Sequence, residues 1–368
     1  MKKFLNIIGT IAVVFILVFI LDKLGRLRVS DEKLENYSGY YFNHLQLEEK
    51  KMYVVLDEAI KKHKEKIFLG THDEPTKTQE ITDVITAYFY DNPQYHYISN
   101  EYTVRTKNFR ILKYSTIQLD YTEDKEYKIE LKNQEVQNVI EKIVNENIRE
   151  DMSDFEKEVA LHDALANLVT YHKYKKIEDI PYIKHTVYGA LVEHEAVCDG
   201  YAKAFKMLLD RVGIENIIVY GTTNDVAHAW NMVKIEDKYY HVDVTSNELE
   251  QHYNNYVMHA YFNITDKEIL QTHTLDKTFE YPECNSNEYN YYLKKDFYIL
   301  KHDNVYIKLQ SIIEKQKDIK LLEVKADDGY YARDIIDVLY DLDFNYWYSN
   351  NQTSVSYTQI NNTFVFIK

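Results

Sequence analysis

The sequence predicts an α+β fold assembled from several small units. Two observations carry this. Segments with apolar residues every three to four positions and segments of strict two-residue alternation follow one another irregularly, without the regular strand–helix–strand repeat of a parallel sheet. An apolar share of 45% in 368 residues is enough for proper cores. The 35 tyrosines fall largely in the alternating runs, where a ring with a polar tip suits a half-exposed strand. No internal repeat, low-complexity tract or long Gly/Ser linker interrupts the chain.

Residues 1–28 read as an uncleaved membrane anchor. After "MKK" come 18 uncharged residues, Phe4 to Leu21, long enough to span a bilayer. The run ends in Asp22, Lys23 and a basic "GRLR" rather than a small-x-small cleavage site. Lys2 and Lys3 are balanced by Lys23, Arg26 and Arg28, and the extreme N-terminal position points to a single-pass protein of the cell membrane with an extracytoplasmic body.

Residues 29–150 form a first α+β unit. In "LQLEEKKMYVVLDEAI", Leu47, Met52, Val55, Leu56, Ala59 and Ile60 share a helical face. A second helix opens at Thr76 with Gln79 three residues on and stops at the "DNP" of Asp91 to Pro93. "QYHYISNEYTVRT", "NFRILKYSTIQLDY" and "EYKIEL" then read as a short antiparallel sheet. Residues 151–290 begin with a capping box, Ser153 and Glu156, ahead of a helix with Phe155, Val159, Leu165 and Leu168 or Val169 on one face. Residues 291–368 form a C-terminal α+β region ending in strands around Asn361 and Asn362, which suit a hairpin turn. This region carries no chemical motif.

A formal charge of −15, with no basic run after the first thirty residues, argues against nucleic acid and anionic wall polymers as partners. The two cysteines, Cys198 and Cys284, form no C-x-x-C pair, and "HEAVC" lacks the second histidine of a zinc-protease helix, so neither metal nor cofactor is expected. Cys284, in the turn-rich "YPECNSNEYN", reads as incidental.

Cys198 stands where a helix begins. Tyr201, Ala202, Phe205, Leu208, Leu209 and Val212 share the face that follows it, Gly213 offers the stop, and Gly200 permits close backbone approach. The positive end of a helix dipole favours the nucleophilic thiolate, although a cysteine so placed is also commonly structural. A thiolate needs a base. "HAWNMVKIEDKYYHVDVT" reads as two strands, and a four-residue loop with Val233 opposite Lys238 sets His228 opposite Asp243, where the carboxylate takes the imidazole N–H. A loop one residue different makes the pair diagonal.

"AVCDGYAKAFKMLLDRVGI", "HAWNMVKI" and "YYHVDVT" resemble, in order and spacing, the three motif blocks of the transglutaminase-like superfamily. The resemblance covers roughly residues 150–275, and "DNPQYHYIS" resembles a helper region that often precedes the domain in bacterial members. It implies a papain-like core, a cysteine-bearing helix on an antiparallel sheet, with Cys198 as nucleophile, His228 as general base and acid, and Asp243 orienting it. Trp230, Asp199 and Tyr201 are candidates for the substrate cleft. Two positions depart from the pattern: Ser246 stands where many relatives continue with tryptophan, and Asp199, where several carry glutamine, puts a carboxylate beside the thiol that opposes the thiolate. The expected function is a cysteine enzyme acting through a thioester on an amide of a peptide or protein at the cell surface, with hydrolysis slightly favoured over amine transfer. The alternatives are a catalytically idle binding or scaffolding module and an adhesive surface protein working through its flanking regions.

Overall fold

The computed structural model describes residues 29–72, 78–109, 112–123, 125–247, 257–316, 321–330, 332–342, 356–360 and 362–367. The uncharged N-terminal stretch and the Thr76 cap lie outside the described residues. Among the described residues no helix is long and apolar enough to cross a membrane. The chain divides into two compact units, Met1–Glu135 and Val136–Lys368.

In the first unit, helices α1 (Asp31–Glu35), α2 (Tyr40–His44), α3 (Leu47–Ile60) and α4 (Thr78–Asp91) accompany an antiparallel sheet of β1 (Lys66–His72), β2 (Ile98–Phe109) and β3 (Leu112–Tyr121) in the order β1-β3-β2. α4 ends before Asn92 and Pro93, as the missing proline N–H requires. The inner face of α3 is broader than its periodicity implies: Tyr53 and Val54 are buried, and Leu47 is exposed. Tyrosines are a main component of this interior. Tyr53 and Tyr88 lie buried on helices, and their hydroxyls donate to Asp91 and Asp57 at 3.3 and 3.1 Å. Half-exposed strands are therefore not the tyrosines' only setting. A phenol can enter a core once a carboxylate satisfies its O–H.

"EYKIEL" is not a strand. It forms the first turns of α5 (Glu126–Asn147), because Ile129, Val136, Ile140 and Ile143 continue at helical spacing and are all buried. Six alternating residues fit either period, and the longer pattern decides.

The second unit holds α6 (Asp154–Leu168), β4 (Thr170–Tyr171), two 3₁₀ turns (Ile177–Asp179 and Tyr182–His185), α7 (Val187–Leu191), β5 (Glu195–Ala196) and α8 (Cys198–Arg211). The predicted capping box of α6 forms: the Glu156 N–H donates to Ser153 Oγ, and the Ser153 N–H donates to Glu156 Oε2 at 2.8 Å. β6 (Asn216–Thr223), β7 (Val226–Ile235), β8 (Lys238–Val242), β9 (Phe262–Ile264) and β10 (His273–Leu275) build one antiparallel sheet in the order β10-β6-β7-β8-β9. A short helix, α9 (Asp266–Ile269), joins its last two strands. α8 packs on β6 and β7 by Ala202 against Ile218 and Ala229, while Tyr201, Phe205, Leu208 and Leu209 join α6 and α7 in the main core. Burying each of these larger side chains contributes about 1.5–3 kcal/mol. Gly213, at φ +79°, ends the helix as its sequence position requires.

The C-terminal part comprises α10 (Tyr291–Lys294), β11 (Tyr298–Ile299), α11 (Val305–Lys315), β12 (Leu321–Ala326), α12 (Ala332–Asp341), β13 (Ser356–Ile360) and β14 (Thr363–Ile367), with sheet order β11-β12-β14-β13. Ile360 pairs with Thr363, so β13 and β14 are antiparallel neighbours as the expected hairpin requires.

Candidate active site

Cys198 is the first residue of α8 and is partly accessible. The parallel pair β4/β5 delivers the chain to it, held by the Val197 N–H on the Lys184 carbonyl at 2.9 Å. Val197, the cap residue, offers no side-chain acceptor, so the first-turn N–H groups beside the sulfur have no side-chain cap. Gly200 is required here. A Cβ would lie 2.8 Å from both the Ala196 Cβ and the Lys184 carbonyl oxygen. The Asn231 amide ties β7 to this helix through the Ala202 carbonyl at 3.0 Å.

The base comes from β7, but not in the expected register. Val233 pairs with Tyr240 and Ile235 with Lys238, so a two-residue turn, Glu236 and Asp237, replaces the four-residue loop. Glu236 takes the left-handed φ of 54° that such hairpin turns use. The shorter turn gains one more cross-strand pair and makes His228 and Asp243 diagonal rather than opposite. Both still point to one face, and His228 Nε2 meets Asp243 Oδ2 at 2.8 Å. The other ring nitrogen is thereby left for the hydrogen bond to Cys198.

Asp243 is fully buried. Its Oδ1 accepts the Ser246 N–H at 3.1 Å, and its Oδ2 accepts a second imidazole, His273 Nε2, at 3.1 Å. Burial opposes the charged form, but His228 and, after it, His273 outweigh burial and hold the carboxyl far below the ordinary carboxylate range. Burial alone opposes a charged His228, but Asp243 and Cys198 more than offset it and raise the imidazole to about 10. The arrangement favours an imidazolium beside the sulfur at neutral pH. Ser246, the departure from the third block, contributes its backbone N–H, a contact any residue except proline can make.

The other cleft candidates fare differently. Asp199 is buried and turned to Lys203 Nζ at 2.8 Å and the Tyr220 hydroxyl at 2.7 Å. Its charge is paired with the lysine one turn along. Tyr201 is core rather than cleft: it is fully buried, with its hydroxyl on the Val169 carbonyl at 2.8 Å. Trp230 lies beneath His228, stacked at 5.9 Å and 22°, and is 1% exposed. Its indole N–H donates to His241 Nδ1 at 3.0 Å, and His241 Nε2 donates to Asp266 at 2.8 Å, a chain that fixes the indole's position. Tyr171, at the end of β4, feels both Cys198 and Asp243, which add to burial in pushing its phenol up. Cys284 is fully buried, and burial with the nearby Asp266 carboxylate pushes its thiol up.

His273 and Tyr171 escape sequence reading. β10 pairs with β6, not with the strands that carry His228 and Asp243, so no short-range spacing links His273 to either.

Among the described residues, three groups bring metal-type ligand atoms within 4.8 Å of one another: His162, Asp163 and His259; His228, Asp243 and His273; and His241, Asp266 and Cys284. In the first, the Asn247 amide donates to His162 Nε2 at 3.0 Å while its oxygen accepts the Tyr261 N–H, so His162 Nδ1 carries the proton given to Asp163. That nitrogen is a donor, not a lone pair awaiting a cation.

No curated protein matches the chain. Among solved structures, it is similar to a TGase at 16% identity and TM-score 0.29, over 42% of this chain and 46% of that one. It is also similar to a Cytophaga hutchinsonii protein provisionally described as a cysteine protease, at 11% identity and TM-score 0.25, over 39% and 62%. A third, a Parabacteroides distasonis protein provisionally described as a protease, matches at 9% identity and TM-score 0.23, over 39% and 36%. The chain thus spans between about a third and two thirds of the length of these structures. The family model of the transglutaminase-like superfamily matches residues 141–244, which contain Cys198, His228 and Asp243. Residues 141–244 of this chain are a transglutaminase-like domain.

Proposed function

We propose that this protein is a cysteine-dependent enzyme acting on an amide of a peptide or protein. The observation that carries the reading is the convergence of a helix-start thiol, an imidazole hydrogen-bonded to it and a buried carboxylate 2.8 Å from that imidazole. Cys198 Sγ attacks the amide carbonyl carbon. The first-turn N–H groups of α8 stabilise the resulting oxyanion. The C–N bond breaks as His228 gives its proton to the departing amine, leaving a thioester on Cys198. Neutral His228 then takes a proton from the second nucleophile, which releases the acyl group and restores the thiol pair.

That second nucleophile is water in our reading. Amine transfer needs a thioester shielded from solvent. Trp230 is buried under the histidine and is no wall of the cleft, and the tryptophan that many relatives carry after the third block is Ser246 here. An idle scaffold has little use for this pair. We place the chemistry outside the cytoplasm, on a body anchored by residues 4–21.

The test incubates residues 29–368 with glutamine-containing peptides and a labelled primary amine. Cys198-dependent release of free acid in excess of label incorporation supports hydrolysis. The reverse ratio makes the protein a transferase, and no Cys198-dependent product with any peptide or amine sinks the enzyme reading.

A further inference from the structure

The second histidine on Asp243 has no part in the proton transfers above, yet it occupies the same carboxylate oxygen as His228. Asp243 accepts only, so His273 Nε2 must carry the proton it shares with Oδ2. The ring is locked for that task. Its other nitrogen lies 2.8 Å from Thr272 Oγ1, which accepts the Tyr261 hydroxyl at 3.3 Å. Tyr261 and Trp230 meet the ring edge-on at 5.4 and 5.0 Å. His273 is 3% exposed and sits 5.3 Å, ring to ring, from His228.

Two consequences follow. With Ser246 N–H on Oδ1 and two imidazoles on Oδ2, the carboxylate cannot rotate away from His228. The His273 N–H also points its positive end at the charge that holds His228 protonated, so part of that charge is already spoken for. In thioester chemistry this matters, because His228 must first release a proton to an amine and then accept one, and an imidazolium held too firmly does neither well.

We propose that His273 is a positioning residue of this site: by sharing Asp243 Oδ2 it aims the carboxylate and limits how tightly that carboxylate holds His228 as imidazolium. The proposal rests on the reading of Cys198 and His228 as the reacting pair. The charged and titratable groups facing them are Cys198 from α8, Asp243 after β8, His273 from β10, Tyr171 from β4 and Tyr261 before β9, with His241 of β8 behind Trp230.

The experiment follows iodoacetamide alkylation of Cys198 in the full chain, by peptide mass spectrometry, from about pH 5 to about pH 11, a range that includes loss of the His228 imidazolium. The upper inflection reports loss of the imidazolium. His273→Phe removes the donor and should move that inflection up by about half a pH unit or more. His273→Gln, which keeps an N–H, should leave it near the parent value. Thr272→Val, which frees the ring's other nitrogen, should move it upward by less, and it decides the matter if the phenylalanine variant does not fold. No movement or a downward movement of the inflection in a folded phenylalanine or valine variant overturns the role of His273. A parent profile with no upper inflection that His228→Ala abolishes overturns instead the reading of the pair.

Discussion

Glu158 on α6 is fully buried, and among the described residues its one hydrogen-bond partner is the Asn263 amide, which donates to Oε2 at 2.8 Å. Glu158 Oε1 and Asn263 Oδ1 are both buried acceptors with no donor. A proton on Oε1 would satisfy both in one step, closing an acid–amide ring, and burial accordingly raises this carboxyl from 4.5 to about 8. The sign follows from which state binds the proton. Below about pH 4.5 both folded and unfolded chains are protonated and nothing changes. Between 4.5 and about 8 the unfolded chain gives up the proton while the folded one keeps it, so stability falls by about 1.4 kcal/mol per pH unit. Above that window the accumulated loss, of the order of 5 kcal/mol, stays constant. Glu158→Gln presents an N–H₂ where the acid has its O–H and never ionises. Urea melts of variant and parent at matched pH should therefore coincide near pH 4.5 and diverge as pH rises, the variant being more stable by several kcal/mol at pH 8. Comparison at each pH cancels other titrations. A difference that stays flat with pH, or a glutamine variant less stable than the parent at pH 8, would refute a shared proton at this pair.

Lys203→Met should destabilise the chain by about 3–5 kcal/mol, because it leaves Asp199 buried without its cation, and adding Asp199→Asn should recover most of the loss in thermal melts. Residues 4–21 should keep the protein in the membrane through alkaline carbonate washing, with the body cleaved by protease added to intact, wall-stripped cells. A mature N-terminus beyond residue 21 rejects the anchor, and a protected body rejects the orientation.

Local signals in the sequence were most informative where a chemical group has a near neighbour to satisfy. The Ser153 and Glu156 box and the Gly213 stop are decided within a few residues, and each forms as its neighbours require. His228 and Asp243 were legible because one hairpin carries both to the same face, although the ladder chose a tighter turn than expected. Non-local pairing was not legible. His273 reaches Asp243 only through the docking of β10 on β6, and the polar partners that let Tyr53 and Tyr88 enter a core lie 38 and 31 residues from them. Short windows also mislead when two periods fit equally, as at the start of α5. The fate of Asp199 shows a further limit: its neighbour in sequence is the thiol, but its partner in space is the lysine a turn away.

The claim that Cys198 and His228 form a reactive pair is tested most directly by competitive alkylation of the folded chain with iodoacetamide near neutral pH. Cys198 should be modified well before the buried Cys284, and His228→Ala should slow that modification on the order of tenfold or more. Equal rates at the two cysteines, or a Cys198 rate indifferent to His228, would contradict it.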